Sequence, residues 1–559
     1  MEKTGAQIFI DFLRHHDVDL IFGYPGGAIL PIYDELFKSG IKHILTRHEQ
    51  GAIHAAEGYA KATGKLGVVL ATSGPGATNL VTGLADAKMD SVPILAITGQ
   101  VATPLIGTDA FQEADIYGIS IPITKYNNLV RNVNDLASTL ELAYIVATSG
   151  RPGPVLVDIP KDVQNAKTKN IEFRANPKVA DRFENNINKI EGNLDELIEV
   201  INKSKKPLLC VGGGAVISGA HKEIEKLVEI ANIPVILTLM GLGAFPKNHK
   251  LSLGLVGMHG TKYANHAVSH CDLLISLGVR FVDRVTGKVS SFANQAKIAH
   301  IDVDIAEIGK IIKVDYPIVG DLKLVLDSIL TKIEPQARES WVNHLEERKQ
   351  KFPMKYKSKS KLIKPQYFIE QLYEKTKGDA IISTDVGQHQ MWTAQFYPFS
   401  QPRTFLTSGG LGTMGFGFPA ALGAKLGCPD RLVVLISGDG SIQMNIQELA
   451  TAAMYDINVK IVIFNNGFLG MVRQWQELFF DSKFSHTNFH FNPDFVRLAE
   501  AYNLNGMKIT SDSEVHKGID FLLSSDKTAI LDVMIPEDEK VYPMIPAGGS
   551  LDEAIDIDD

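Results

Sequence analysis

The chain has 559 residues, 45% of them hydrophobic and 21% charged, and carries a formal net charge of −8. That length implies roughly three or four domains at about 150 residues each, and the acidic balance argues against a nucleic-acid partner. No apolar run approaches the ~20 residues that span a bilayer and no basic region precedes an apolar core at the N-terminus; with Cys210, Cys271 and Cys428 scattered without metal spacing, the composition reads as a cytoplasmic α/β protein with reduced thiols.

Residues 1–165 alternate helical patterns with short apolar strands. Helical Gly5–His15 precedes strand-like Leu20-Ile21-Phe22 and the turn Tyr24-Pro25-Gly26-Gly27. A helix over about Gln50–Thr63 precedes the strand Val68–Thr72, the loop Ser73-Gly74-Pro75-Gly76, another helix and the strand Ile94–Ile97. This alternation predicts a doubly wound parallel sheet. Arg47-His48-Glu49-Gln50 closes a strand and opens a helix. Glu49 reads either as a surface charge favoured by the helix N-terminus or as a buried, proton-shuttling carboxylate. Zinc is not supported, because His48 and His54 lack the four-residue spacing of the metalloprotease helix.

Residues 166–193 turn polar and read as a linker. A central domain over 194–333 opens with Pro207–Val211 and Gly212, Gly213 and Gly214, and continues through strands at Pro234–Thr238, Leu273–Leu277 and Ile298–Val303. Residues 334–364 are rich in lysine. In a chain of acidic balance they read as a solvated linker rather than a nucleic-acid patch.

The third domain, 365–535, holds the most distinctive stretch. The strand Leu432–Ile436 runs into Gly438-Asp439-Gly440-Ser441; a helical segment to about Met454 and the strand Val459–Phe464 then lead to Asn465-Asn466. The crossover makes the strands parallel, and ligands collect at the carboxyl ends of parallel strands. Asp439 and Asn466 would therefore offer hard oxygen donors to Mg²⁺ and phosphates. Gly438 and Gly440 let the backbone approach, and Ser441 opens a helix whose N-terminus favours anions. A tight turn with a capping Asp is the plainer alternative. The same plan recurs in Val68–Gly76 and Ile94–Thr98, with Pro75 in the place of Asp439. The fold expected is thus α/β, three doubly wound parallel-sheet domains with the first and third related. The tail, 536–559, contains Tyr542–Ser550, too rich in Pro and Gly for regular structure yet apolar enough to pack; it reads equally as an active-site lid or a disordered end.

The spacing of Gly438-Asp439-Gly440 and Asn465-Asn466 resembles the thiamin-diphosphate motif. Together with Tyr24–Ile29, Arg47–Ala52, Gly107–Asp115, Met471–Gln476 and Met544–Gly549, it makes the whole chain similar to the large catalytic subunit of acetohydroxyacid (acetolactate) synthases. The resemblance implies thiamin diphosphate, Mg²⁺ and FAD as cofactors, with pyruvate and 2-ketobutyrate as substrates. It implies Asp439, Asn466 and the Phe468 carbonyl as metal ligands, with Gly387, Gln388, His389, Gly440 and Ser441 against the diphosphate and Gly412, Met414 and Met471 along the rest of that cofactor. Glu49 would hydrogen-bond the pyrimidine N1′, its carboxyl raised by an apolar cleft. Gly27 would leave room at the reacting centre, and Gln112 and Lys161 would lie on the substrate side. Arg284 would hold the second substrate's carboxylate, and Trp475 would pack on the extra methyl of 2-ketobutyrate.

The central domain resembles the family's FAD domain through Gly212, Gly213, Gly214, Thr238, Leu239, Met240, His259, Gly278, Arg280, Asp302 and Asp321, with Arg151 from the first domain; a triple glycine by itself serves equally as a structural turn. Glu49 and Asp439 would meet across a homodimer, or a tetramer of such pairs, with a small regulatory subunit as a further partner. Two positions depart from the family pattern: Val282 replaces a carboxylate in Arg280–Arg284, and Ala102 stands where proline is common. Alternatives on the same scaffold are a fermentative acetolactate synthase, a pyruvate oxidase or a 2-ketoacid decarboxylase, and, from another class, an inactive flavin-binding regulatory subunit. Trp475 and the tail favour the biosynthetic synthase, and intact Glu49, Asp439 and Asn466 argue against an inactive chain.

Overall fold

A computed structural model describes residues 2–184, 189–357 and 360–558. Three six-stranded sheets, parallel throughout, account for its architecture. The first comprises β1 (Leu20–Gly23), β2 (Lys42–Leu45), β3 (Gly67–Ala71), β4 (Ile94–Gln100), β5 (Tyr126–Leu129) and β6 (Pro154–Pro160), in the order β2-β1-β3-β4-β6-β5. The central sheet comprises β7 (Pro207–Val211), β8 (Val235–Leu237), β9 (Ser252–Leu255), β10 (Leu273–Leu277), β11 (Lys297–Asp302) and β12 (Tyr316–Val319), in the order β9-β8-β7-β10-β11-β12. The third comprises β13 (Ala380–Thr384), β14 (Phe405–Leu406), β15 (Leu432–Gly438), β16 (Lys460–Asn465), β17 (Asn505–Ile509) and β18 (Ala529–Met534), in the order β14-β13-β15-β16-β18-β17. Helices cover both faces, so inner strands such as β4, β6 and β13 are buried at every residue and read as continuous apolar runs.

The first and third sheets share one strand order, as their internal repeat predicts. Their likeness extends to detail: β3 and β15 each feed a four-residue helix, Pro75–Thr78 or Asp439–Ile442, before a second helix returns the chain to the neighbouring strand. Each sheet also reverses its direction of growth at one point, between β1 and β3, between β7 and β10, and between β13 and β15. A crevice opens there at the carboxyl ends of the strands.

Three sequence-based expectations need correction. Ser441 does not open the helix after β15; the helix begins at Asp439 with Gly438 as its cap and stops at Ile442. The continuous helix expected up to Met454 is broken at Asn445, whose side chain donates to Gly415 O (2.7 Å). Residues 334–364 are not wholly a solvated linker. Glu339–Lys351 is a helix whose Trp341, 3% exposed, enters the central core and donates Nε1–H to Pro207 O at 3.0 Å. Residues 185–188 and 358–359 of the two linkers lie outside the described residues. The tail packs rather than dangles: Met544 and Ile545 are buried against Met258, and Lys288 N donates to Gly549 O (2.9 Å).

The first and third domains touch through two helices, Glu49–Thr63 and Gly417–Gly427. A Cβ on Gly58 would lie 2.0 Å from Ala420 O, and one on Gly423 would lie 1.8 Å from Ala55 O. Backbone packs directly on backbone here, which only glycine allows.

Buried acids sit behind the strand ends. Asp158 accepts from Thr98 Oγ1 (2.7 Å) and Gln100 Nε2 (3.0 Å), yet burial raises its carboxyl to about 7. The folded chain therefore keeps a proton that the unfolded chain releases near pH ~4. The stability this adds is complete below that point and is lost as pH rises to about 7. Asp158→Asn abolishes that slope. Between acidic and neutral buffer the variant should gain on the wild type by on the order of 2 kcal/mol, read as a change in the difference between their melting temperatures.

Candidate active site

At the switch point of the third sheet a cavity of about 70 Å³ is lined by Gly387, Gln388, His389, Met414, Asp439, Gly440, Ser441, Asn466, Phe468 and Met471. The carboxyl ends of β13, β15 and β16 supply most of this wall. Gly387 caps the Gln388–Phe396 helix, and the β15 turn brings Gly438 against the imidazole, since a Cβ there would lie 3.0 Å from His389 Nδ1. Burial drives His389 down to about 3, so its ring is neutral, and Nε2 has no hydrogen-bond partner among the described residues. Gln388 Nε2 donates to Gln474 Oε1 (2.9 Å) and Glu539 O (2.8 Å), while its Oε1 is unpartnered. Asp439 Oδ2 accepts from Gly467 N (2.9 Å), and Asn466 Oδ1 accepts from Phe468 N (3.0 Å). Burial raises the Asp439 carboxyl to about 6 against these hydrogen bonds.

Asp385, which no motif marks, organises the opposite wall. Its Oδ1 accepts from Gly415 N (2.9 Å) and Gly417 N (2.8 Å), and its Oδ2 from Ser437 Oγ (2.6 Å). The turn carrying Met414 is thereby fixed over β13 and β15.

Glu49 is buried at the first position of its helix, behind the cap His48, whose Nδ1 accepts from Gln50 N (3.1 Å). Its Oε2 accepts from Asn79 Nδ2 (2.9 Å), and a Cβ on Gly76 would lie 3.2 Å from its Oε1. The first-domain copy of the Asp439 loop thus backs Glu49. Glu448 of the third domain holds the same helix end, accepting from Arg47 N (2.9 Å) and from Thr451 Oγ1 (2.6 Å). Asn79 and Glu448 escaped sequence reasoning: Glu448 and Arg47 are 401 residues apart, and nothing local pairs them. Glu49 lines neither this cavity nor the larger one described below. Nor do Gly27, Gln112 and Lys161, all exposed on the first domain. No side chain fills the space beside Gly27, and Gln112 holds a left-handed φ of 60°.

A second cavity, about 860 Å³, opens where the three domains meet. The central switch point supplies Gly213, Gly214, Gly278 and Arg280, joined by Thr238, Leu239, Met240, His259, Asp302 and Asp321, by Arg151, and by Gly387, Gly412 and Met471. Gly412 lines this cavity and not the smaller one. Gly212 lies behind the wall, where a Cβ would meet Gly278 O at 2.2 Å. Arg280 has no ion-pair partner among the described residues. Arg151 is already engaged, bonding Glu307 (2.7 Å) and Ser91 Oγ (2.8 Å). At the edge near the tail, the Arg284 guanidinium sits 5.8 Å from the Trp475 ring centre and pairs with Asp283 (2.8 Å). Trp475 Nε1 is buried without a hydrogen-bond partner among the described residues.

Residues 3–119 match the N-terminal TPP binding domain of thiamine pyrophosphate enzymes, 194–329 their central domain and 385–533 their C-terminal TPP binding domain. The chain is 49% identical to an acetolactate synthase large subunit of Corynebacterium glutamicum, over 98% of this chain and 89% of the relative. It is 45% identical to the isozyme 3 large subunit of Escherichia coli over 98% of both, and 49% identical to a probable large subunit of Methanocaldococcus jannaschii over 98% of this chain and 94% of that one. The chain belongs to the acetolactate synthase large-subunit family. The two TPP-binding matches of this thiamine pyrophosphate enzyme fall on the first and third sheets, the related pair. No helix among the described residues is long and apolar enough to cross a membrane.

Removing Asp385 should loosen this site selectively. Asp385→Ala leaves two backbone N–H groups and a hydroxyl without their acceptor, at a cost of about 2–4 kcal/mol. A melting temperature lowered by several degrees, with faster amide exchange over 413–417, is the expected result.

Proposed function

We propose that the protein decarboxylates pyruvate and joins the two-carbon unit to a second 2-ketoacid. Pyruvate as acceptor gives 2-acetolactate, and 2-ketobutyrate gives 2-aceto-2-hydroxybutyrate, as in branched-chain amino acid biosynthesis. The observation that carries the proposal is the placing of an acid-and-amide cradle, Asp439 and Asn466, beside a cavity edged by Arg284 and Trp475. The acetolactate synthase names of the relatives support the same reaction.

The cradle residues fit thiamin diphosphate with Mg²⁺. Asp439, Asn466 and the Phe468 carbonyl are hard oxygen donors suited to Mg²⁺; the glycines at 387 and 438 let the neutral His389 ring pack against the cradle, and Gly440 lines its cavity. When bound, thiamin diphosphate supplies an acidic carbon that adds to ketones and an electron sink for decarboxylation. The chain does the rest. Glu49, fixed in place by Asn79 and by the end of its helix, would hold a proton at the pyrimidine N1′. Met414 and Met471 would line the cofactor's remaining length, Ser441 would lie at the diphosphate, and Gly27 would leave the approach open. Gln112 and Lys161 would face the substrate. Arg284 offers a fork of donors to the acceptor's carboxylate, and the Trp475 ring packs on its alkyl end, a preference worth ~1–3 kcal/mol per methylene.

The cradle cavity, at about 70 Å³, is far below the ~300–1,000 Å³ of a ligand site, and Glu49 lies outside it. Both features support a homodimer in which each chain's Glu49 completes the partner's cradle, alone or paired into a tetramer. The larger cavity suits FAD in size; unpaired Arg280 and the backbone at Gly213, Gly214 and Gly278 would meet its diphosphate, and Asp302 and Asp321 its hydroxyls. The large-subunit names of the relatives support a small regulatory partner.

Purified protein incubated with pyruvate, 2-ketobutyrate, thiamin diphosphate, Mg²⁺ and FAD should yield acetolactate and acetohydroxybutyrate; acetaldehyde or peroxide as the main product rejects the proposal. Glu49→Gln should slow hydrogen–deuterium exchange at C2 of bound thiamin diphosphate by at least ~100-fold, with the affinity for thiamin diphosphate nearly unchanged. An exchange rate equal to wild type removes Glu49 from proton handling.

A further inference from the structure

Asn492 belongs to none of the motifs above, yet its side chain meets the cradle from behind. Its Nδ2 donates to Asp439 Oδ2 at 2.6 Å and reaches Asn465 Oδ1 at 3.3 Å. Its Oδ1 accepts from Gln443 Nε2 (3.2 Å), which also donates to the Asp439 carbonyl (2.8 Å). Asn465 in turn donates to Asp532 (3.0 Å). Both ends of the Asn492 amide are therefore engaged, and a flipped amide would present oxygen to the Asp439 carboxylate.

The backbone around Asn492 is held as firmly. Leu469 N donates to Thr487 O (2.9 Å) and Phe489 N to Gly467 O (2.7 Å), so residues 487–489 lie along the turn that carries Asn466 and Phe468. Beyond Pro493, Asp494 caps the next helix, accepting from Val496 N (3.0 Å). The amide reaches Asp439 from a segment fixed on both sides.

We propose that Asn492 is a positioning residue of the metal site, its amide and Gly467 N anchoring Asp439 Oδ2 so that the other carboxylate oxygen is kept for the cation. The proposal rests on the reading of Asp439 as an Mg²⁺ ligand. A carboxylate at the start of a four-residue helix has two side-chain torsions free; two donors on one oxygen set both. Hydrogen-bond partners that orient a ligand in this way change metal affinity by ~10–100-fold when removed.

The test is calorimetric titration of Mg²⁺ into the full-length, metal-free protein at saturating thiamin diphosphate. Asn492→Leu keeps the volume and deletes the donor, and Asn492→Ala is the second variant. The expected result for either is a Kd for Mg²⁺ raised at least ~10-fold, while the melting temperature of the metal-free protein stays within about 2 °C of wild type. A Kd within about twofold of wild type, or a tighter one, overturns the proposal, the latter because it makes the amide a competitor of the cation. Loss of the metal-free melting temperature in both variants also overturns it, making Asn492 a folding residue. Asp439→Ala separates the two readings. If it binds Mg²⁺ as wild type does, the metal reading itself fails; if it loses binding while Asn492→Leu keeps it, only the role of Asn492 fails.

Discussion

The Glu49–Thr63 helix rests on the Gly417–Gly427 helix with no side-chain layer between them at Gly58 and Gly423. A close-packed interior has no slack to absorb a methyl group at such a point, so the separation of the first and third domains is set by glycine. Each helix has chemistry at its start: Glu49 opens one, and the Met414 turn, tied to Asp385, leads into the other. With the domains docked through these helices Glu49 lines neither of the two cavities described, which supports the proposed sharing of sites between two chains.

The duplicated sheet explains why one scaffold offers two unlike half-sites. Both copies have a strand, a four-residue helix and a switch-point crevice, so both can present a backbone turn to a ligand. The third domain places Asp439 at that turn. The first places Pro75 there and uses the following residues, Gly76 and Asn79, to back a carboxylate from a different helix. One fold thus yields the proposed metal-binding surface in one copy and the proposed proton-handling surface in the other.

Burial controls the electrostatics of both cavities. His389 is neutral because its ring is enclosed, and Asp439 is raised to about 6 for the same reason. A cation would reverse the second effect by stabilising the ionised carboxylate. In the larger cavity Arg280 has no ion-pair partner among the described residues, whereas Arg151 is satisfied by Glu307. Of the two arginines expected there, only Arg280 is left to meet an anion directly.

The sequence by itself determined the three-sheet α/β class, the repeat and the local content of the cradle. Continuous apolar runs mark strands covered on both faces, and Gly-Asp-Gly after such a run marks a strand end; these signals are local and survive in one dimension. Helix continuity past Asp439 was not legible, because Asn445 breaks the helix to bond Gly415, 30 residues away in the chain. The Glu339–Lys351 helix was obscured by its charged residues, although Trp341 and Leu345 anchor it in the central core. Only the tertiary structure decided that Asn79 holds the buried Glu49, that Glu448 holds the backbone at Arg47, that Asp385 ties the Met414 turn, and that Asn492 reaches Asp439. Each is a hydrogen bond between residues distant in the chain, and the partner of a buried polar group is chosen by the packing of whole domains.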